Sequence, residues 1–337
     1  YCAYLDLGRY KVLSLSPELF FERKGSSIKT RPMKGTIRRG RWTAEDNELA
    51  KRLAESAKDR AENVMIVDLL RNDLGKVSLP GTVKVARLFE LERYPTLWQM
   101  TSTVEGTLRQ GVGLTQLMTA LFPCGSITGA PKIRTMEIIR ELEPYPRNMY
   151  TGTIGLIRPG GDCLFNVAIR TIILDSATSK ATFGVGAGIT FDSNAESEYE
   201  ESLLKSAFLE SRVSRFSLLE SILLEEGDFF LLGPHLSRLT SSAAFFGFRF
   251  KREEILSELR SIAASHTTER WKVRLLSRED GELEIEALEL EDRRLPLRVA
   301  LAREPINSAD RFLFHKTTER PTQDKAIASR PDCDDVI

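Results

Sequence analysis

Arg31-Pro32-Met33-Lys34-Gly35-Thr36 marks the point where this chain changes period. Residues 1–36 read as short strands, Tyr10 to Ser16 and Leu19 to Arg23, with turns at Gly8 and Gly25. Beyond the hexapeptide, Thr43 to Asp46 resembles a capping box and opens a long helical pattern through Glu62 towards Asp73. Its apolar positions Leu49, Leu53, Met65, Val67 and Leu70 recur at broadly helical spacing. Lys34 is the unusual residue, set beside a glycine between a proline-stiffened strand and a basic turn of Arg38, Arg39 and Gly40. Glycine admits close approach of a ligand to the backbone, and a partly buried amine that sheds its proton becomes a nucleophile. A surface lysine satisfies the same spacing, so the rest of the chain has to decide.

Strand-like segments follow around Val83 and from Met100 to Val104, then a short helix from Leu114 to Leu121. The small-residue turn Gly125-Ser126-Ile127-Thr128-Gly129-Ala130-Pro131 feeds a helix to about Leu142, with Pro131 in its first turn. Three strand-like runs come next, Thr151 to Ile157, Cys163 to Leu174 and Ala181 to Thr190, then a helix from about Ala195 to Arg212. Near residue 215 the texture changes. Leu218 to Leu224 and Phe229 to Leu232 read as a hairpin around Gly227, and helices follow at Leu236 to Phe246 and Glu253 to Ala264. Strands are expected near Val273, from Leu283 to Leu288 and from Leu297 to Ala302. The expectation is two α/β (α+β) units, 1–214 and 215–337.

The 337 residues are enough for two cores. With 48 basic residues balancing 48 acidic ones and no basic block, a nucleic-acid or membrane-surface partner is not expected. Cys2, Cys124, Cys163 and Cys333 are scattered without a CxxC pair, which suits a reducing cytoplasm and argues against a disulfide frame or zinc. No apolar run reaches bilayer length and nothing at the start reads as a signal peptide, so a soluble cytoplasmic protein is expected. Tyr1 opens inside a strand-like stretch and Asp334-Asp335-Val336-Ile337 stops as an apolar run begins, which reads as a fragment cut at both ends.

Several residues are open to two readings. Glu198 and Glu201 lie three apart on one helix and project from neighbouring points of one face. With Glu62 they form either a carboxylate set of the kind Mg²⁺ prefers or three solvated side chains. Gly184-Val185-Gly186-Ala187-Gly188 stands between a strand and a helix, as an anion cradle or as a tight turn. Arg170, after the apolar run Asn166 to Ile169, needs a carboxylate, from a ligand or from a salt bridge. Tyr150 is a core phenol or a ligand contact. In the second unit Lys316, in His315-Lys316-Thr317-Thr318 after the apolar stretch Phe312 to Phe314, is a candidate Schiff-base amine, and Arg238 a phosphate ligand or a helix-surface charge.

Taken together, residues 1–213 resemble the chorismate-utilising enzymes, in their aminodeoxychorismate synthase branch. The carrying segments are Ser16-Pro17-Glu18, Arg31 to Thr36, Glu62 to Asp73 and Gly125 to Lys132. They continue with Tyr150 to Gly155, Ala168 to Thr171, Gly186 to Ile189 and Glu198 to Glu201. The resemblance implies a layered, largely antiparallel sheet core with flanking helices. It implies that Lys34, where the anthranilate and isochorismate branches carry a small residue, adds to the chorismate ring before ammonia enters at C4. It further implies Glu18 as general acid/base, Glu62, Glu198 and Glu201 as Mg²⁺ ligands, and Tyr150, Arg170 and the Gly186, Ala187 and Gly188 backbone as a grip on substrate carboxylates. Ser126 lies in a substrate-lining turn, and Gln99 stands where many relatives have histidine. No amidotransferase nucleophile segment is present, so ammonia would come from solution or from a glutamine amidotransferase subunit.

From about Phe216 the chain resembles the aminodeoxychorismate lyase-like, fold-type-IV pyridoxal phosphate enzymes. Leu219-Glu220-Ser221, His235 to Leu239, Ser242-Ala243, Phe246-Gly247-Phe248 and His315 to Thr318 carry the likeness. It implies a partial α/β domain of that fold, with Lys316 as the Schiff-base lysine and Arg238 on the cofactor phosphate. The fused reading is a synthase followed by a lyase on the way to 4-aminobenzoate and folate. The competing expectations are anthranilate synthase component I and a domain that only binds an amidotransferase.

Overall fold

The computed structural model describes residues 1–191, 193–206, 209, 215–290 and 296–337. They divide into one unit of Tyr1–Arg38 with Ala50–Arg212 and a second of Arg39–Leu49 with Val213–Ile337. The early strands are β1 (Cys2–Leu7), β2 (Tyr10–Leu15), β3 (Leu19–Lys24), β4 (Ser27–Arg31) and β5 (Met33–Arg38). Gly8 and Gly25 make the first two turns with left-handed backbone.

The expected single long helix is two, α1 (Thr43–Glu55) and α2 (Ala57–Gly75). Between them Ser56 is extended (φ −62°, ψ 110°), and its hydroxyl accepts a hydrogen bond from the Asp59 N–H at 3.3 Å. A serine that can bond the backbone this way favours a helix start over a helix interior. α2 buries Asn63, Ile66, Val67, Leu70, Asp73 and Leu74, one stripe of its surface.

The first unit continues through β6 (Lys84–Arg93), β7 (Leu97–Thr107), α3 (Leu114–Leu121), α4 (Gly125–Thr128) and α5 (Lys132–Leu142). It closes with β8 (Thr153–Ile157), β9 (Cys163–Val167), β10 (Thr171–Asp175), β11 (Lys180–Phe183) and α6 (Ala195–Ser206). One antiparallel sheet runs β5-β7-β4-β3-β9-β8, with β6 also on β7, and another runs β1-β2-β10-β11. Phe20, Phe21, Ile28, Val104 and Val167 of the larger sheet pack with Val67 and Leu74 of α2 and with Leu117 and Leu121 of α3. Each such side chain contributes about 1.5–3 kcal/mol by leaving water.

The run Cys163 to Leu174, read from sequence as one strand, is β9 in one sheet and β10 in the other. The break falls at residues 168–170, where Arg170 takes a positive φ of 49°. Continuous apolar character conceals such a switch of sheets. Pro131 also sits one position earlier than expected, as the N-cap of α5.

The second unit holds β12 (Leu218–Glu225), β13 (Asp228–Phe229), α7 (Leu232–Phe246), α8 (Arg252–Ser265), β14 (Arg270–Ser277) and β15 (Leu283–Glu289). The short β16 (Val299–Ala300), α9 (Pro321–Ala328) and β17 (Asp335–Val336) complete it. The hairpin at Gly227 forms, but the long partner of β12 is β14, in an antiparallel order β13-β12-β14-β15. The strand expected over Leu297 to Ala302 shortens to β16, paired parallel with β17. Leu218, Leu224, Leu236, Leu239, Ile255 and Val273 lie in the core of this unit.

Arg39–Leu49 is built into the second unit. The Arg39 guanidinium pairs with Asp46 at 2.7 and 2.8 Å, donates to the Phe245 carbonyl at 3.0 Å, and lies over the Phe245 ring. The Arg41 carbonyl is 3.0 Å from His315 Nε2, and the rings of Trp42 and Phe314 meet at 4.9 Å. The architecture is therefore α+β, with antiparallel sheets and flanking helices. Among the described residues no helix is long and apolar enough to cross a membrane.

Candidate active site

A cavity of about 650 Å³ opens in the first unit between the ends of β3 and β5, helices α2, α5 and α6, and the segment after β11. Glu18 forms part of its floor. The side chain is 3 % exposed, and its Oε1 has no hydrogen-bond partner among the described residues. Burial pushes its carboxyl up to about 7, against the opposing effects of the Ser126 hydroxyl, the nearby Lys34 amine and the Met33 backbone N–H. A carboxyl poised there is able to both give and take a proton near neutrality.

Lys34 lies on β5 and lines the same cavity. Gly188 comes from the opposite side so closely that a Cβ on it would stand 3.1 Å from Lys34 Nζ. Gly35 has a positive φ of 89°, and a Cβ there would press on Asp59 of α2 at 2.9 Å. Glycine beside the lysine thus lets β5 seat against the helix. Gln99, also lining the cavity, donates to the Gly35 carbonyl at 2.8 Å and accepts from Thr36 at 3.0 Å, so it braces the strand that carries Lys34.

Tyr150, Arg170 and residues 186–188 form the far wall. A Cβ on Gly184 would collide with the Tyr150 ring at 2.4 Å, and one on Gly186 would reach its hydroxyl at 3.0 Å. Burial raises the proton affinity of the Tyr150 phenol and lowers that of Arg170. A desolvated guanidinium lining one cavity with a phenol and open backbone is suited to a carboxylate.

Glu62 on α2 and Glu198 and Glu201 on α6 line the cavity as well. Burial raises the Glu62 carboxyl; Lys34 and Lys58 oppose the shift, while Asp59 and Glu198 add to it. Among the described residues, however, no three acidic, histidine or cysteine side chains converge as a metal cage. Glu198 accepts from Ser193 at 2.8 Å and faces Lys58 at 3.7 Å, and Glu201 pairs with Lys205 at 2.7 Å. Lys205 also donates to the Gly186 carbonyl at 3.1 Å. Lys58 and Lys205 were not singled out from sequence; the i,i+4 spacing of Glu201 and Lys205 was the available signal.

The second-unit candidates sit together around a buried acid. Glu220, 1 % exposed, accepts both the Nε (2.7 Å) and an Nη of Arg238, and faces His235 Nδ1 at 2.8 Å. Arg238 thus serves a carboxylate in this arrangement, where a phosphate was expected. Burial lowers the proton affinity of the Lys316 amine, with Glu220 opposing and Arg238, Arg320 and Lys272 adding to the effect.

The model for chorismate binding enzymes matches residues 1–211. The chain belongs to the chorismate binding enzyme family. Relatives of this chorismate binding enzyme include aminodeoxychorismate synthase component 1 of Bacillus subtilis, 44 % identical over 64 % of this chain and 46 % of the relative. Anthranilate synthase component 1 of Spirochaeta aurantia is 42 % identical, over 61 % of this chain and 42 % of the relative. The chain therefore spans less than half the length of these relatives. The crystal structure of anthranilate synthase component I from Streptococcus pneumoniae superposes with a TM-score of 0.57 at 36 % identity, covering 63 % of this chain and 46 % of that one.

Proposed function

We propose that the first unit aminates chorismate at C4, giving 4-amino-4-deoxychorismate, as the synthase part of an aminodeoxychorismate synthase component 1. The observation that carries this reading is that Lys34 and the buried Glu18, whose carboxyl burial pushes up to about 7, line the same cavity. The Lys34 nitrogen bonds to the ring while the C4–oxygen bond breaks, and the departing hydroxyl takes the Glu18 proton to leave as water. Ammonia then bonds at C4, the ring double bonds return, and the Lys34–ring bond breaks. The Glu18 carboxylate recovers a proton from the new ammonium. Two displacements replace one difficult substitution.

Tyr150, Arg170 and the backbone of Gly186, Ala187 and Gly188 would hold the substrate carboxylates, with Ser126 on Glu18. Glu62, Glu198 and Glu201 would hold Mg²⁺, which when bound offsets the charge of the ring carboxylate. Their placement around one cavity supports this, with Lys58 and Lys205 shifting to admit the ion. The relatives' "component 1" names support a glutamine amidotransferase partner as the ammonia source, on a route to 4-aminobenzoate and folate in the cytoplasm.

The test is incubation with chorismate, ammonium and Mg²⁺ and identification of products by mass spectrometry. Aminodeoxychorismate, lost in Lys34→Ala, is expected, with a Lys34 adduct accumulating when ammonium is withheld. Anthranilate formed equally well by Lys34→Ala would overturn the lysine's role and favour the anthranilate reading.

For the second unit, as the domain 215–337, we propose an aminodeoxychorismate lyase-like role with pyridoxal phosphate on Lys316. The support is the desolvated amine beside the Glu220–Arg238 pair; pyridoxal phosphate when bound supplies an electron sink. Arg238 would have to leave Glu220 to reach a phosphate. Borohydride reduction after incubation with pyridoxal phosphate should add mass at Lys316, and labelling spread over surface lysines would refute the assignment.

A further inference from the structure

Lys34 stands on a β-bulge. In the antiparallel pairing of β5 with β7, Met33 faces Thr101 and Thr36 faces Gln99, so Lys34 and Gly35 together stand opposite the single residue Met100. An extra residue in one strand interrupts the ladder and re-aims the side chains beside it. Neighbours in a regular strand point to opposite faces, yet Met33 and Lys34 both line the cavity. The positive φ of Gly35 is the backbone conformation that lets the strand bend here.

Gln99, 5 % exposed, closes this bulge with its side chain. Its Nε2 donates to the Gly35 carbonyl at 2.8 Å, and its Oε1 accepts from the Thr36 hydroxyl at 3.0 Å. A carbonyl only accepts, so the carboxamide has one workable orientation, with both of its ends used. On the other side Asp59 of α2 approaches until a Cβ on Gly35 would lie 2.9 Å from its own. The backbone next to Lys34 is thus held between β7 and α2, and the amine ends beside Gly188, where a Cβ would stand 3.1 Å from Nζ.

We infer that Gln99 is a positioning residue for Lys34: by bonding the Gly35 carbonyl and the Thr36 hydroxyl it holds the bulge that aims the lysine amine at Gly188. The consequence for catalysis rests on the nucleophile role proposed above; the bulge and its two hydrogen bonds do not. Losing the carboxamide frees the strand to relax, and the amine then samples positions away from Gly188.

The experiment is competitive labelling of the whole chain with acetic anhydride, without substrate, with each lysine read by peptide mass spectrometry. Gln99→Met matches the side chain in length and lacks both bonds. It should raise the Lys34 rate about fivefold relative to Lys29 on β4, the scale of one ordinary hydrogen bond. Gln99→Glu keeps an acceptor for Thr36 but sets an oxygen against the Gly35 carbonyl, and should behave like Gln99→Met. Gln99→His restores a donor to that carbonyl and should return the rate towards wild type. If Gln99→Met does not fold, Thr36→Val removes the second bond and should raise the Lys34 rate about twofold. In turnover, kcat of Gln99→Met should fall about tenfold while the KM for chorismate holds within about twofold, the mark of a misplaced reacting group. An unchanged Lys34 rate would overturn the inference. So would an equal acceleration at every lysine in a variant that melts earlier, which would make Gln99 merely structural. The labelling needs no turnover, so an absence of aminated product from the wild type would overturn the proposed function and leave this inference standing.

Discussion

Gly188 and Lys34 approach until only a hydrogen fits between them: a Cβ on the glycine would lie 3.1 Å from the lysine Nζ. The lysine end is flexible, so an added methyl displaces the amine without breaking the fold. Gly188→Ala should keep the wild-type melting temperature and lose about tenfold or more in kcat, because small misplacements of a reacting group are costly. Melting and steady-state rates on one preparation check this.

Glu18 is a stability liability above neutrality. Its carboxyl is held at about 7 in the fold against 4.5 ordinarily, so between those values the folded state binds more protons than the unfolded one. Stability must then fall as pH rises from 4.5 to 7 and stay low above it, by about 3 kcal/mol at most. Glu18→Gln should remove that slope, unfold at higher urea than wild type at pH 8, and be inactive. Urea midpoints at pH 5 and pH 8 measure it.

His315 gives the second unit the opposite dependence. Its imidazole lies against the rings of Phe245 and Phe246 and 3.0 Å from the Ser242 hydroxyl. Burial chiefly lowers it to about 4 from 6.5, so the unfolded state binds the proton first. Stability is complete above pH 6.5 and lost as pH falls towards 4. Protection from hydrogen exchange, taken relative to the intrinsic rate at each pH, should fall over α7 and residues 312–318 between pH 6.5 and 4.5, and this fall should be absent in His315→Gln.

Arg39→Met removes the guanidinium from a carboxylate, Asp46, whose side chain is 5 % exposed. A loss of about 3–5 kcal/mol is the expected scale for breaking a buried pair from one side. The loss should register as faster exchange in α7 of the second unit. Arg39→Met with Asp46→Leu should recover most of it, since the pair and an apolar replacement are often nearly equivalent.

The lining of the cavity was more legible in the sequence than the topology. Lys34-Gly35, Glu198 with Glu201 and the glycine run stood out as candidates because each depends on residue type at short spacing, and they line one cavity with Glu62 of another helix. The break at Ser56 and the division of residues 163–174 between two sheets were not legible, because an apolar pattern reports burial and not which neighbour provides it. Arg238 looked free for a phosphate because its partner, Glu220, lies on another element, β12. The same blindness hid the ion pair of Lys132 with Asp73, which are distant in the chain.

The discontinuity of the second unit bears on how such a gene can be rearranged. A cut at residue 214, where composition invites one, would leave Arg39–Leu49 on the wrong side and strip Phe245 and His315 of their covering. Recombination that exchanges one half for a homologue has to move two separate stretches of coding sequence at once. Substitutions in Arg39–Leu49 should therefore track those in the later half more closely than those in the strands beside it.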